Sequence, residues 1–151
     1  MSQVKAIVLW GKANRGKTQT LNLAANLLVR NLKANPISKQ SFPLTIENDH
    51  VIVLEVFGKK VGIITAGDSD KELKAAFQKI PFECDLYLCP SRTRGSSCKF
   101  LKNRFGDSIF WISKWTLKNE STIILKEDYF QNKANLIQAQ EIVEVVKEAL
   151  R

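Results

Sequence analysis

The sequence predicts an α/β three-layer sandwich, in which a mostly parallel sheet has helices on both faces and one antiparallel hairpin at its edge. Short apolar runs alternate along the chain with stretches whose apolar residues recur at helical spacing. Two of these runs are separated only by the Gly-Lys-Lys turn at residues 58–60, which indicates the hairpin. The chain has 151 residues, of which 44% are hydrophobic, so we expect a single domain over residues 1–151.

The first half of the chain is typical of a strand, a helix and the hairpin, in that order. Residues 4–10 form a mostly apolar run that suits a strand buried on both faces. Helical spacing starts at Gly16 and ends before Asn35-Pro36. Residues 35–48 contain two prolines and no periodicity, which predicts a long surface loop. The apolar runs 51–57 and 61–65 form the hairpin, with the first run at the sheet edge.

The second half predicts three more helices and two more strands. A helix with a capping box formed by Ser69 and Glu72 ends at Pro81. A buried strand over 86–89 leads into a polar stretch at 90–97, a short helix ending near Phe105 and a strand over 108–112. Residues 114–130 are ambiguous, with an extended segment possible at 123–125. An apolar stripe ending at Leu150 marks the last helix, for which Asn132 is a candidate N-cap.

The chain is basic. It has 23 Lys and Arg residues against 15 Asp and Glu, which gives a net charge of +8. This balance favours an anionic partner, either nucleotide phosphates or nucleic acid. A basic surface that only keeps the chain in solution has the same composition, so charge alone leaves both interpretations open.

Composition also predicts the compartment. No apolar run approaches the roughly 20 residues that a membrane-spanning helix needs, and the first residues lack the segments of a signal peptide. We therefore expect a cytoplasmic protein with no membrane partner. Cys84, Cys89 and Cys98 are odd in number and match no zinc-binding spacing, so we expect reduced, partly buried thiols.

One segment between the first strand and the first helix carries a chemical motif. It fits the pattern G-x-x-x-x-G-K-[ST] with the residues Gly11, Lys12, Ala13, Asn14, Arg15, Gly16, Lys17 and Thr18. The glycines allow backbone N–H groups to surround an anion, and the start of the helix adds its positive dipole end. Lys17 would reach the β- and γ-phosphates of a nucleoside triphosphate, and the Thr18 hydroxyl would bind Mg²⁺.

Through this motif the chain resembles the P-loop NTPases, whose Walker A sequence it matches, and the resemblance covers most of the chain as a layout of elements. Within that superfamily the layout is similar to the Ras-like small GTPases. Pro43-Leu44-Thr45-Ile46-Glu47 resembles their first switch, in which a Thr completes the Mg²⁺ shell. Thr65-Ala66-Gly67 resembles the turn where their second switch begins. The resemblance implies a nucleoside triphosphate and Mg²⁺ as ligands.

The sequence departs from that family at two positions. Ile64 stands where the family has a magnesium-directing Asp, and no Asn-Lys-x-Asp motif follows a later strand. The nearest sequence is Ser113-Lys114-Trp115-Thr116, without the Asp that reads guanine, so ATP is the expected nucleotide. Asp68 follows the strand and is the candidate magnesium ligand beside Thr18, although a carboxylate there would also complement the dipole of the next helix.

Arginines follow the strand predicted at 86–89. Arg92 and Arg94 come at its carboxyl end, the edge at which open α/β sheets bind ligands. An arginine there can stabilise a transferring phosphoryl group or hold the phosphate of an acceptor. Residues 91–105 contain five basic side chains and no acidic one, which is also what a solvated basic helix face would show.

Three functions are compatible with these patterns. The leading one is a Mg²⁺-dependent, ATP-preferring hydrolase in which Lys17 stabilises the γ-phosphate, Arg92 or Arg94 stabilises the transition state, and residues 35–48 and 66–70 change conformation. An alternative is a small-molecule or nucleotide kinase whose arginines hold the acceptor. A second alternative is a nucleotide-switched binding module that docks nucleic acid or a protein through residues 91–105, which the absence of a carboxylate at Ile64 favours.

Overall fold

The structure, a computed structural model, describes residues 3–12, 16–115 and 127–151. Its strands are β1 (Ala6–Trp10), β2 (Asn35–Pro36), β3 (Val51–Val56), β4 (Lys59–Ile64), β5 (Leu86–Ser91) and β6 (Ile109–Ser113). Its helices are α1 (Lys17–Leu32), α2 (Asp70–Gln78), α3 (Ser96–Phe105) and α4 (Glu127–Ala149). The segment predicted to be extended at 123–125 lies outside the described residues.

The described strands form one mixed sheet in the order β2-β3-β4-β5-β1-β6. The four strands β4, β5, β1 and β6 run parallel, and β3 pairs antiparallel with β4 as the predicted hairpin. The prediction that β3 lies at the edge was wrong, because β2 pairs along its outer side, with Asn35 opposite Glu55. A proline suits this outermost position because it lacks an N–H to donate to a further strand.

Helices cover both faces of the sheet, which confirms the predicted three-layer α/β fold. Successive residues of β1 point to opposite faces, and this alternation divides the core into two clusters. Ile7 and Leu9 pack with α1 and α4, whereas Ala6 and Val8 pack with α2 and α3. β1 is therefore buried on both sides, as its apolar sequence predicts.

Two helix starts test the predicted caps. The Ser69 side chain accepts a hydrogen bond from the Glu72 N–H at 3.2 Å, so the predicted cap of α2 is confirmed. Asn132 is not the N-cap of α4, because the helix already begins at Glu127 and contains Asn132 in its interior. The apolar stripe did not reveal this earlier start, since its clear members begin only at Leu136.

The structure can be compared with the expectations for the cysteines and for membrane-spanning helices. Cys84 and Cys89 are buried, Cys98 is half-buried, and all three are free thiols. Burial raises the pKa of Cys89 to about 12, so this thiol stays protonated. Among the described helices, none combines the length and the apolar character that crossing a membrane requires.

Candidate functional site

The parallel strands bring the predicted site residues to one edge of the sheet. The chain leaves β1 at Trp10 between the carboxyl ends of its two neighbours, β5 and β6. The Gly11 N–H donates to the Ser91 carbonyl on β5 at 3.0 Å, and the Lys114 N–H after β6 donates to the Trp10 carbonyl at 2.8 Å. The start of the segment 11–18 that fits the P-loop sequence motif, hereafter the P-loop, is therefore fixed by the backbones on both sides.

The end of the P-loop is fixed by Gly16, which precedes α1. Gly16 has φ 85° and ψ 19°, a left-handed conformation that favours glycine. A Cβ at this position would also lie 3.0 Å from the side-chain nitrogen of Asn135 on α4. The site residues Ala13, Asn14 and Arg15, which sequence reasoning places in the same loop, lie outside the described residues.

Lys17, the first residue of α1, is held by three acceptors. Its Nζ donates to the Gly11 carbonyl at 2.7 Å, to the Ser91 carbonyl at 3.0 Å and to the Asp68 carboxylate at 3.1 Å. The side chain is only 5% exposed. The motif by itself predicts that Lys17 largely faces solvent when no nucleotide is bound, and this prediction was wrong, because the loop from β1 and the turn after β4 enclose its ammonium group.

The charge of Lys17 is set by opposing effects. Burial lowers the pKa of Lys17, and this effect is the largest, while the hydrogen bond and charge of Asp68 raise it. Smaller contributions come from Arg92, which lowers the pKa, and from Glu72, which raises it. Desolvation and the opposite charge of Asp68 therefore act against each other at the Lys17 ammonium group.

Thr18 lies beside two oxygen atoms from different parts of the chain. Its hydroxyl donates to the Thr65 carbonyl at 2.9 Å, and its Oγ1 lies 3.4 Å from Oδ1 of Asp49. Asp68, the carboxylate that sequence reasoning assigned to the same metal, instead pairs with Lys17. Sequence reasoning missed Asp49, which follows the loop predicted at 35–48 and had no local pattern to mark it.

A cavity of about 500 Å³ opens where these residues meet. This volume is in the usual range for small-molecule sites. It is lined by Gly16, Lys17 and Thr18 from the P-loop and, among others, by the acidic residues Glu47, Asp49, Asp68 and Glu72. A lysine, a helix N-terminus and four carboxylates around one space suit a ligand that carries both phosphates and a divalent cation.

Of the two predicted arginines, Arg92 is the nearer to the site in electrostatic terms. Its charge is among those that shift the pKa of Lys17, and that of Arg94 is not. The backbone N–H of Arg92 donates to the Ser97 hydroxyl at 3.1 Å, which ties the loop to the first turn of α3. Both arginines are exposed, as are the basic residues that follow on α3, namely Lys99, Lys102 and Arg104.

Aromatic residues near this basic stretch are mostly part of the core. Phe100 and Phe105 pack with Phe77 between α2 and α3, at ring-centroid distances of 5.7 and 6.0 Å. The Arg104 guanidinium lies 4.3 Å from the centroid of the Phe77 ring, so part of the basic face also packs on this cluster. Trp115, after β6, is 45% exposed.

The sequence after β6, which begins with Ser113-Lys114-Trp115, borders the P-loop from the other side. The Lys114 side chain is 7% exposed, and its Nζ donates to the Trp115 carbonyl. A Cβ added at Gly11 would lie 3.0 Å from Cβ of Lys114, so the glycine permits close packing here. Gln138 on α4 fixes the segment, because its amide donates to the Ser113 carbonyl at 2.7 Å and accepts from the Trp115 N–H at 3.0 Å.

Lys114 gives a prediction about stability and pH. Burial lowers the pKa of Lys114 from 10.5 to about 8, so the unfolded chain binds a proton that the folded chain lacks between those two pH values. The cost of the buried charge is therefore fully present below pH 8 and declines as the pH rises toward 10.5. Replacing Lys114 with Met should raise the free energy of unfolding at pH 7, by up to roughly 3 kcal/mol.

The measurement is urea unfolding of wild type and Lys114→Met at pH 7, 9 and 10. The gain from the substitution should shrink across this series. Lys99→Met, which removes an exposed lysine from α3, serves as the control and should show no such trend. A Lys114→Met variant that is less stable than wild type at pH 7 would mean that the buried ammonium group is net stabilising.

Comparisons with known proteins gave no match for this chain, whether with protein-family models, curated proteins or solved structures.

Proposed function

We propose that this chain binds a magnesium-bound nucleoside triphosphate, preferentially ATP, in the cavity beside the P-loop and hydrolyses it in the cytoplasm. One observation carries the proposal: Lys17 and Thr18, the first two residues of α1, line a polar cavity of about 500 Å³ together with carboxylates from two other segments. The N-terminus of a helix and a lysine attract phosphates, whereas the hydroxyl and the carboxylates suit a cation. A nucleotide with its metal meets both requirements at once.

Each of the residues beside the cavity has a separate role in the proposed reaction. The Lys17 ammonium would neutralise charge on the β- and γ-phosphates, and the N-terminal amides of α1 would bind phosphate oxygens. Arg92 would stabilise charge that develops on the transferring phosphoryl group, because it directly follows the carboxyl end of β5, whose last residue, Ser91, contacts Lys17. Hydrolysis by this set alone would be slow, since no side chain is yet assigned to activate the attacking water.

The residues that line the cavity suit a magnesium ion that is bound to the phosphates of a nucleotide. Mg²⁺ in such sites keeps several waters and binds one or two protein oxygens besides the phosphates. The Thr18 hydroxyl, with a carboxylate beside it, meets this requirement. A site made by protein ligands alone is not expected, and the described residues contain no group of three or more His, Cys, Asp or Glu side chains that could hold a metal.

The nucleotide preference can be tested by thermal unfolding with ATP and with GTP, each with and without Mg²⁺. We expect ATP to bind at least as well as GTP, because Ser113-Lys114-Trp115 lacks the carboxylate pattern that reads guanine. A ligand at 100 times its dissociation constant should add about 2.7 kcal/mol to the free energy of unfolding. A tenfold preference for GTP, about 1.4 kcal/mol, would contradict the assignment of ATP.

A second candidate function rests on the basic face formed by Arg92, Arg94, Lys99, Lys102 and Arg104. The first four side chains are exposed, and the stretch 91–105 contains no acidic residue. The Arg104 side chain is 33% exposed and pairs with Glu83 at 3.4 Å. Such a face suits the phosphates of a nucleic acid. In this second function the bound nucleotide acts as a switch. Arg92 would link the nucleotide site to the basic face, because it belongs to the face and its charge lowers the pKa of Lys17.

A further inference from the structure

The geometry points to Asp49, and not Asp68, as the carboxylate that binds the magnesium ion of the nucleotide together with Thr18. This inference rests on the proposed function and assigns the two carboxylates different tasks. Asp49 would direct the metal, and Asp68 would balance the charge of Lys17. Four observations support this division: the position of the Thr18 hydroxyl, the anchoring of Asp49, the pairing of Asp68 and the burial of Ile64.

The Thr18 hydroxyl lies between two acceptors. It has a single proton, and it is within hydrogen-bond distance of the Thr65 carbonyl at 2.9 Å and of Oδ1 of Asp49 at 3.4 Å. When this proton is donated to the Thr65 carbonyl, Oγ1 of Thr18 and Oδ1 of Asp49 can both bind a cation. Two oxygens that bind Mg²⁺ at right angles, each at about 2.1 Å, lie about 3 Å apart. A shift of a few tenths of an ångström would bring this pair to that separation.

Asp49 is held in place on both sides. On one side the Asn22 amide donates to the Asn48 carbonyl at 2.7 Å and to the Ile46 carbonyl at 2.9 Å. On the other side the His50 N–H donates to the Thr65 hydroxyl at 2.6 Å, and the Thr65 N–H donates back to the His50 carbonyl at 3.1 Å.

These anchors are rigid because both side chains are enclosed. Asn22 is 0% exposed and Thr65 is 1% exposed. Asn22 also lies one turn after Thr18 on α1, so it is on the same face of the helix. Helix α1, which supplies the Thr18 hydroxyl, therefore also positions the loop that supplies the Asp49 carboxylate. The two oxygens are preorganised for one ligand.

Asp68 is engaged elsewhere. Its Oδ1 lies 3.1 Å from Nζ of Lys17, whose side chain is 5% exposed. Withdrawing Asp68 toward a metal would leave the enclosed ammonium group with only two carbonyl acceptors and without a counter-charge. The phosphate groups of a nucleotide are the natural replacement, so Asp68 competes with them for Lys17.

Ile64, at the position where the similar GTPases carry their metal-directing Asp, is 0% exposed and packs in the core between the sheet and helices α2 and α3. The end of β4 therefore supplies no ligand from this position. Of the four carboxylates that line the cavity, Asp49 is the one with a contact to the Thr18 hydroxyl.

The test measures the affinity for ATP by isothermal titration calorimetry, with excess EDTA and with Mg²⁺, for wild type, Asp49→Asn and Asp68→Asn. Wild type should bind more tightly with the metal. In Asp49→Asn, the increase in ATP affinity that Mg²⁺ causes should be at least tenfold smaller than in wild type, and the affinity for metal-free ATP should be unchanged. Asp68→Asn should keep the enhancement and bind metal-free ATP more tightly, because the competitor for Lys17 is gone.

Glu47→Gln is the matched control, because it removes one charge from the same loop beside the same cavity, and it should keep the enhancement. Mn²⁺ electron paramagnetic resonance of the ATP complexes reports the bound metal directly and should show altered coordination only in Asp49→Asn. Asp49 is exposed, so this variant should fold, which circular dichroism checks.

The outcomes separate the inference from the proposed function. An Asp49→Asn variant with the enhancement of wild type, or an Asp68→Asn variant that loses it, would overturn the assignment of Asp49 while nucleotide binding stands. Wild-type protein that binds no ATP in either condition would overturn the proposed function and this inference with it.

Discussion

Replacing Lys17 with alanine should abolish the stabilisation of the fold by ATP, which for wild type at 100 times the dissociation constant is about 2.7 kcal/mol. The Lys17 ammonium is enclosed beside the cavity, where its charge is poorly screened by water and acts strongly on a phosphate. Thermal unfolding with and without ATP and Mg²⁺ measures the loss. If the variant binds ATP as tightly as wild type, the P-loop assignment fails.

The burial of Lys17 requires a second variant. Alanine also removes the Lys17 hydrogen bond to the Gly11 carbonyl, which costs about 1–3 kcal/mol if that carbonyl stays buried and unpaired, whereas the Ser91 carbonyl keeps the Gly11 N–H as a donor. Lys17→Met removes the ammonium group with its three hydrogen bonds but keeps the volume of the stem, so it should lose ATP binding with less damage to the packing around the cavity. Lys71→Ala, at an exposed lysine on α2, is the control and should respond to ATP as wild type does.

Replacing Arg92 with alanine should lower the turnover of ATP at least tenfold, about 1.4 kcal/mol in the barrier, while the affinity for ATP changes little. This pattern marks an interaction made mainly in the transition state. Arg94→Ala is the matched control, because it removes the same charge from the same loop but lies outside the set of charges that act on Lys17. It should keep most of the turnover, and the double variant should resemble Arg92→Ala.

The same variants distinguish the other functions. In a kinase that holds its acceptor through these arginines, the Michaelis constant of the acceptor should rise instead. In a nucleic-acid binding module, both single variants should weaken binding to all sequences and reduce its dependence on salt. If turnover, acceptor binding and nucleic-acid binding are all unchanged, the two arginines belong to a solvated surface.

The layered fold could be predicted, and the motif at residues 11–18 recognised, because their signals are local. Alternation of apolar residues along β1 and helical spacing along α1 reflect the geometry of each element by itself. The Ser69 cap of α2 also depends on a hydrogen bond only three residues along the chain. The order of the strands at the edge of the sheet was predicted less well. The pairing of Asn35-Pro36 with β3 depends on the path of the chain after α1.

The burial of Lys17 could not be predicted, because its environment comes from distant segments. Gly11 lies six residues before it, whereas Asp68 and Ser91 lie 51 and 74 residues after it. Only the pairing of β5 with β1 brings Ser91 beside the P-loop. A sequence motif shows which residue type is present at a position. The burial of that residue depends on which strands and loops the sheet brings beside it.

The sequence by itself determined the fold class and marked residues 11–18 as the proposed phosphate-binding segment, since both follow from periodicity and from residue types at fixed spacing. Only the tertiary structure decided which carboxylate stands beside Thr18. The sequence marked Asp68, which follows β4, and gave no sign of Asp49. The buried anchors Asn22 and Thr65 hold Asp49 beside Thr18, and the enclosed ammonium of Lys17 holds Asp68. Electrostatic and hydrogen-bonding partners depend on distance in space, which the order of residues does not give.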